Sequence, residues 1–206
     1  MGNAKSQVAF LVEPMDPMPI VLRDFCYDSP SSIQIPPFMS RTKHDGVVHT
    51  VDGKVAFLWQ GSSMTLMNTE RSILMRMERK VCENINTHTI VVDRGRHGAS
   101  GWLVDITVNF PFPSMYEPDV ECTVHLDDTT WVDFTVQGDW RARNAVVSMH
   151  IGQHVVVVAR IRGVTPDPRL FGEYILDVIP GADVAFLVLL CASIDRIANL
   201  TRGVIL

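Results

Sequence analysis

The stretch PGADVAFLVLLCASIDRI, residues 180–197, constrains this chain more than any other. From Val184 to Ala192 it holds nine apolar residues in an unbroken row, with Asp183 before the run and Asp195-Arg196 after it. As a helix, the eleven residues between the two aspartates would rise about 16 Å, roughly half of a ~30 Å hydrocarbon core. The segment is therefore read as buried in protein and not as a transmembrane span. Leu187, Leu189, Leu190, Ala185 and Ala192 favour helix. Pro180-Gly181 interrupts the chain upstream, Asp183 can cap the first turn, and Arg196 and Arg202 suit the negative end of a helix. A helix apolar on every side must be enclosed. Phe186, Leu187 and Leu190 are its predicted core contacts.

The rest of the chain supplies the enclosure. GVVHTVDGKVAFLWQ reads as two strands joined at Asp52-Gly53, a strong hairpin signal. SMTLMNTERSILMRMERKV repeats the plan with a turn at Asn68–Arg71. NTHTIVVD, GWLVDITVNF, DVECTVHL, WVDFTVQGDW, NAVVSMHIG, HVVVVARI and GEYILDVI follow, and IVLRDFCY stands in front. Alternation in ILMRMER and TVHL gives each strand one polar face. The fold class is mainly β: about twelve antiparallel strands closed into a barrel around a buried, hydrophobic C-terminal helix. Closure removes the sheet edges and covers the helix in one step. Residues 1–19, which include the proline-rich EPMDPMP, form a flexible arm, and residues 20–206 form a single domain.

Composition narrows the function. Apolar residues are 47% of the 206-residue chain and charged residues 20%, which suits one packed core. A formal charge of −5 argues against a dedicated nucleic-acid partner. Cys26, Cys82, Cys122 and Cys191 form no C-x-x-C pair, so reduced thiols and a cytoplasmic location are expected, with no zinc cluster. VAFLV after Lys5 is too short for a secretory signal.

The quoted segments resemble the LURP-one-related family of the Tubby C-terminal-like group. DGKVAFLWQGSSMTLMNTERSILMRMERK resembles the family's D-G-x-x-x-F…G…L-x-D stretch, and DFTVQGDWRARN its F-x-V-x-G-x-x-x-x-R stretch. The closing pattern, Y-x-V-x-V-x-P-G-x-D-x-A-F…L…D, falls on Tyr174 to Asp195 and is the most specific. The resemblance spans about Val47 to Ile197 and is weakest from Asp93 to Glu121. The family's acidic pair after the helix is Asp195-Arg196 here. The resemblance implies a twelve-stranded barrel around a hydrophobic helix and brings no catalytic residues. Some plant members are tied to pathogen defence, and related barrels bind phosphoinositides or act at membranes.

MGNAKS fits M-G-x-x-x-[ST], which predicts N-myristoylation of Gly2. One acyl chain binds membranes only marginally, so a second contact is required. RGRHGASG offers it: glycines let backbone N–H groups converge on an anion, and Arg94, Arg96 and His97 add charge. Arg141 and Arg143 in DWRARN are further candidate anionic-lipid contacts, placed on one side by strand alternation. His150 and His154 in HIGQH would lie about 13 Å apart along one strand, too far to share a metal unless the chain turns at Gly152. Neither a G-x-S-x-G elbow nor a P-loop occurs. No catalytic residue, cofactor or metal site is expected. The leading reading is a non-enzymatic barrel that binds anionic, phosphoinositide-like lipid at the cytoplasmic face of a membrane. The alternative is a soluble adaptor that binds a protein partner along the arm or an exposed strand.

Overall fold

The computed structural model describes residues 15–36, 44–79, 87–92, 102–109, 118–126, 129–164 and 173–203. Twelve strands stand in order: β1 (Ser31–Ile35), β2 (Gly46–Thr50), β3 (Val55–Gln60), β4 (Thr65–Met67), β5 (Ile73–Arg79), β6 (Thr87–Val92), β7 (Trp102–Asn109), β8 (Asp119–His125), β9 (Trp131–Asp139), β10 (Asn144–Ile151), β11 (His154–Gly163) and β12 (Tyr174–Val178). The α-helix α1 (Val184–Gly203) follows. Each strand pairs antiparallel with its sequence neighbour, and β1 pairs with β12 to close the barrel. The expected architecture is the observed one.

The turns fall where the local chemistry asks for them. Gly53 sits at φ 83, and the Thr50 and Lys54 backbones bond across the turn at 2.9 Å. At the second hairpin the Ser72 N–H donates to the Asn68 side chain at 2.8 Å and the Arg71 N–H to its carbonyl at 3.1 Å. Ile151 pairs directly with His154, so HIGQH does turn, at Gly152 with φ 59.

Period-2 burial builds the interior. Val120, Cys122 and Val124 point inward from β8, Val132, Phe134 and Val136 from β9, and Tyr174, Leu176 and Val178 from β12. They meet a helix buried on all sides from Val184 to Asp195, with Phe186, Leu187 and Leu190 among its innermost residues. The rings of Phe134 and Phe186 pack at 4.9 Å between centroids. On the outer face, Arg76 pairs with Glu78 at 2.6 Å and Arg162 with Asp177 at 2.7 Å.

Three expectations need correction. Ile20–Tyr27 is not a strand; it holds a short 3-10 turn at Arg23–Phe25, and Ser31–Ile35 is the first strand instead. Ile20 and Val21 are buried at the helix start, where an anchoring carboxylate claims their N–H groups. The arm is docked from Met15 onward: the Met18 N–H donates to the Gly181 carbonyl at 3.0 Å. A Cβ on Gly181, at φ 85, would stand 2.4 Å from the Met15 carbonyl oxygen, so only glycine lets the arm so close. Finally, Asp195 does not close the helix, which continues to Gly203.

Candidate functional site

Closure gives the barrel two ends. Odd-numbered strands start, and even-numbered strands finish, at the end where α1 enters; we call this the lower end. The upper end carries the β9–β10 turn and the start of β12. Asp183 marks the first and Asp195 the second, separated by about 18 Å of helix rise.

At the lower end Asp183 is fully engaged with main chain. Its Oδ1 accepts the Phe186 N–H at 3.0 Å, the predicted cap. Its Oδ2 accepts the N–H groups of Ile20 at 3.0 Å and Val21 at 2.7 Å. Burial pushes this carboxyl above the ordinary carboxylate range, and the same N–H groups oppose the rise. One side chain thus starts the helix and holds the arm.

At the upper end Asp195 is engaged by side chains. The indole N–H of Trp140 donates to Oδ1 at 2.8 Å, Arg143 Nη1 to Oδ1 at 2.6 Å, and the Tyr174 hydroxyl to Oδ2 at 2.9 Å. The guanidinium carbon lies 4.2 Å from the Tyr174 ring centroid. Burial disfavours the Arg143 charge, but Asp195 and Tyr174 outweigh it and hold its pKa above the ordinary value. Tyr174 is pushed well above the ordinary phenol value, by burial first and by Asp195 second. Cys191 is raised for the same two reasons.

DWRARN therefore does different work from the one expected of it. Trp140–Arg143 is a turn, closed by the Arg143 N–H on the Trp140 carbonyl at 3.2 Å and by Asp139 accepting the Ala142 N–H at 2.8 Å. Arg143 takes φ 53 there and turns inward, leaving 6% of its surface exposed. It is no surface contact for lipid, because its charge is spent on a buried carboxylate. Arg141 is half-buried and stands at the same upper end. Strand alternation does not apply in a turn, so the two do not share a face. Gly2, Arg94, Arg96 and His97 lie outside the described residues.

The Asp195 cluster was not read from the sequence. A signal existed: Ile194, Ile197 and Ala198 continue the apolar helical spacing past Asp195, which places that carboxylate inside a buried helix. Among the described residues no three His, Cys, Asp or Glu side chains converge to hold a metal ion. His150 instead meets Thr135 Oγ1 at 2.9 Å on the outer face.

Among the described residues, the exposed apolar side chains can be assigned to the two ends. Leu22, Val51, Val55, Ile73, Trp131, Ile151, Val155 and Val157 stand at or near the lower end, whereas only Val47 and Val164 among the described residues stand toward the upper end. No helix among the described residues is long and apolar enough to cross a membrane.

The fold and its interior fastening define a class, the antiparallel barrel plugged by its own C-terminal helix. Within that class the chain belongs to the LURP-one-related family, whose profile matches residues 39–195. Comparison with curated proteins finds no match. Among solved structures, the chain is similar in fold to an Arabidopsis thaliana protein determined by X-ray crystallography. The TM-score is 0.61 and the identity 16%, over 87% of this chain and 98% of that one. Within the matched range, Trp140, Arg143, Tyr174, Asp183 and Asp195 are residues that fasten helix to barrel.

Proposed function

We propose that this protein is a non-enzymatic, peripheral membrane barrel that presents its lower end to anionic lipid at the cytoplasmic face. The observation that carries the reading is a coincidence of chain exits. Val92 and Trp102, which bracket the segment holding Arg94, Arg96 and His97, pair with each other at the lower end. Met15, from which the chain runs back to Gly2, is docked at Gly181 at the same end. An acyl chain and a basic segment issuing from one end can act on one surface together. Each cation near an anionic leaflet adds about 1 kcal/mol, enough to make marginal acyl binding useful. Arg141 and Arg143, at the opposite end, are left out of this contact.

The test is sedimentation with anionic vesicles at 0.1 M and 1 M NaCl. Acylated protein should bind best, Gly2→Ala should lose most binding, and Arg94→Ala/Arg96→Ala should lose the preference for anionic lipid. The preference should also fade at 1 M salt, where the screening length falls to about 3 Å. If all forms bind equally, or none binds at low salt, the reading fails and a protein-binding adaptor takes its place.

A further inference from the structure

We infer that the β9–β10–β11 corner of the lower end is a lipid-inserting patch, with Trp131 as its anchor. Trp131 is 60% exposed, Val155 59%, and Ile151 and Val157 38% each. The register places them at one corner, with Val155 and Val157 together on the outer face of β11 and His150 between them and Trp131. Ile151 pairs with His154 and His150 with Val155, while His150 also pairs with Asp133, two residues from Trp131. β11 pairs with β12 only from Ala159 onward, so Val155 and Val157 project beyond the last residue of that strand. A folded soluble surface seldom gathers exposed apolar groups in this way without a partner.

The occupant is argued from what surrounds the patch. Tryptophan is the side chain most at home at the bilayer interface, where its ring is half apolar and half wet. The nearest charged group on β9, Asp133, is bonded to Thr123 Oγ1 at 2.6 Å. Among the described residues, Trp131–Asp133 and Ile151–Val157 hold no Lys or Arg, so an anionic headgroup is not what this corner selects. It offers apolar insertion, which zwitterionic lipid satisfies equally. The arm leaves the barrel at this same end, and twelve residues lie between Gly2 and Met15, an extended reach of at most about 45 Å. An acyl chain on Gly2 and the Trp131 corner can enter one leaflet at once. The inference rests on the membrane reading and adds to it a contact independent of charge.

Insertion has an optical signature when Trp102, whose side chain lies outside the described ones, is replaced by phenylalanine in every protein compared, because Trp59 and Trp140 are buried and Trp131 is exposed. Acylated full-length protein is mixed with phosphatidylcholine vesicles carrying brominated acyl chains, with and without phosphatidylserine. Fluorescence should be quenched with Trp131 present and much less so in Trp131→Phe. A Trp131→Ser/Val155→Ser variant, confirmed as folded by its melting temperature, should partition at least about tenfold more weakly, as expected for withdrawing two partly inserted apolar side chains from contact with lipid. The loss should be the same at 0.1 M and 1 M NaCl, whereas Arg94→Ala/Arg96→Ala should lose binding only at low salt. Binding without quenching, and unchanged in the serine variant, would overturn this patch while leaving the membrane reading intact. Absence of binding by every acylated form would remove both. Concentration-dependent dimers that disappear in the serine variant, with no vesicle binding, would assign the corner to a second copy of this chain and overturn the lipid assignment.

Discussion

The two ends of the barrel each bury a carboxylate, one that caps α1 and one within it, and they satisfy it by opposite means. Asp183 is held by main-chain N–H groups of Ile20, Val21 and Phe186, and Asp195 by the side chains of Trp140, Arg143 and Tyr174. Backbone donors come with any sequence, so at the lower end one residue's identity determines the contact. At the upper end four identities have to agree. Among the described residues, most of the exposed apolar side chains stand at the lower rim. The lesson is that one internal task, satisfying a buried carboxylate, can be met by main chain at one end and by side chains at the other.

The sharpest way to break this picture is to break what lies between the ends. Leu190→Asp places an unpaired carboxylate in a position with no solvent exposure. Its burial costs several kcal/mol, comparable to the whole stability of a domain, so no folded protein is expected. A soluble variant with near-normal melting temperature would refute the enclosed helix.

The next test separates the two carboxylates. Asp195→Ala strands a guanidinium in the interior and should cost about 3–5 kcal/mol in urea unfolding. Replacing both charges, as Arg143→Met/Asp195→Leu, should recover much of that loss, because an apolar pair of similar volume suits the site. Asp183→Ala should cost about 2–4 kcal/mol, from the lost cap and two unmet N–H groups. No second substitution should rescue it, because its partners are main chain. If the upper-end double variant is no more stable than Asp195→Ala, the contrast between the ends is wrong.

The smallest effect is expected from pH. Burial, with Asp183 adding to it, pushes the Cys26 thiol from 9.0 up to about 12, and burial raises Cys191 and Tyr174 likewise. Values raised in the folded state mean that these groups stabilise it fully below their unfolded values and lose that contribution as pH climbs toward the folded ones. Melting temperature should therefore fall between pH 9 and about 12, by about 3 °C per unit for each proton involved. Cys26→Ala should flatten the part of the slope that begins near 9 at the lower end, and Tyr174→Phe the part above 10 at the upper end. An unchanged slope in both would mean that other groups control alkaline unfolding.

Much of the architecture is legible without coordinates, and the reason is locality. The apolar run from Val184 to Ala192 requires a cover whatever surrounds it. Asp52-Gly53, Asn68–Arg71 and Gly152 form turns through contacts of two to four residues, which their own side chains and backbone specify. Asp183 caps the helix through a bond to the third residue on. IVLRDFCY misled because its β-rich composition says nothing about which main-chain groups a distant carboxylate will claim. DWRARN misled because alternation was assumed where the chain turns.

What the sequence by itself determined is the helix, the hairpins and the need for closure, all set by neighbours along the chain. Tertiary structure alone decided that Arg143 faces inward to a carboxylate 52 positions away, and that Asp183 holds an N–H 163 positions before it. It also decided which exposed side chains share an end. The physical reason is that such contacts depend on shear and closure of the whole barrel: every strand is tilted and staggered against the next, and only the completed circuit fixes which residues arrive together.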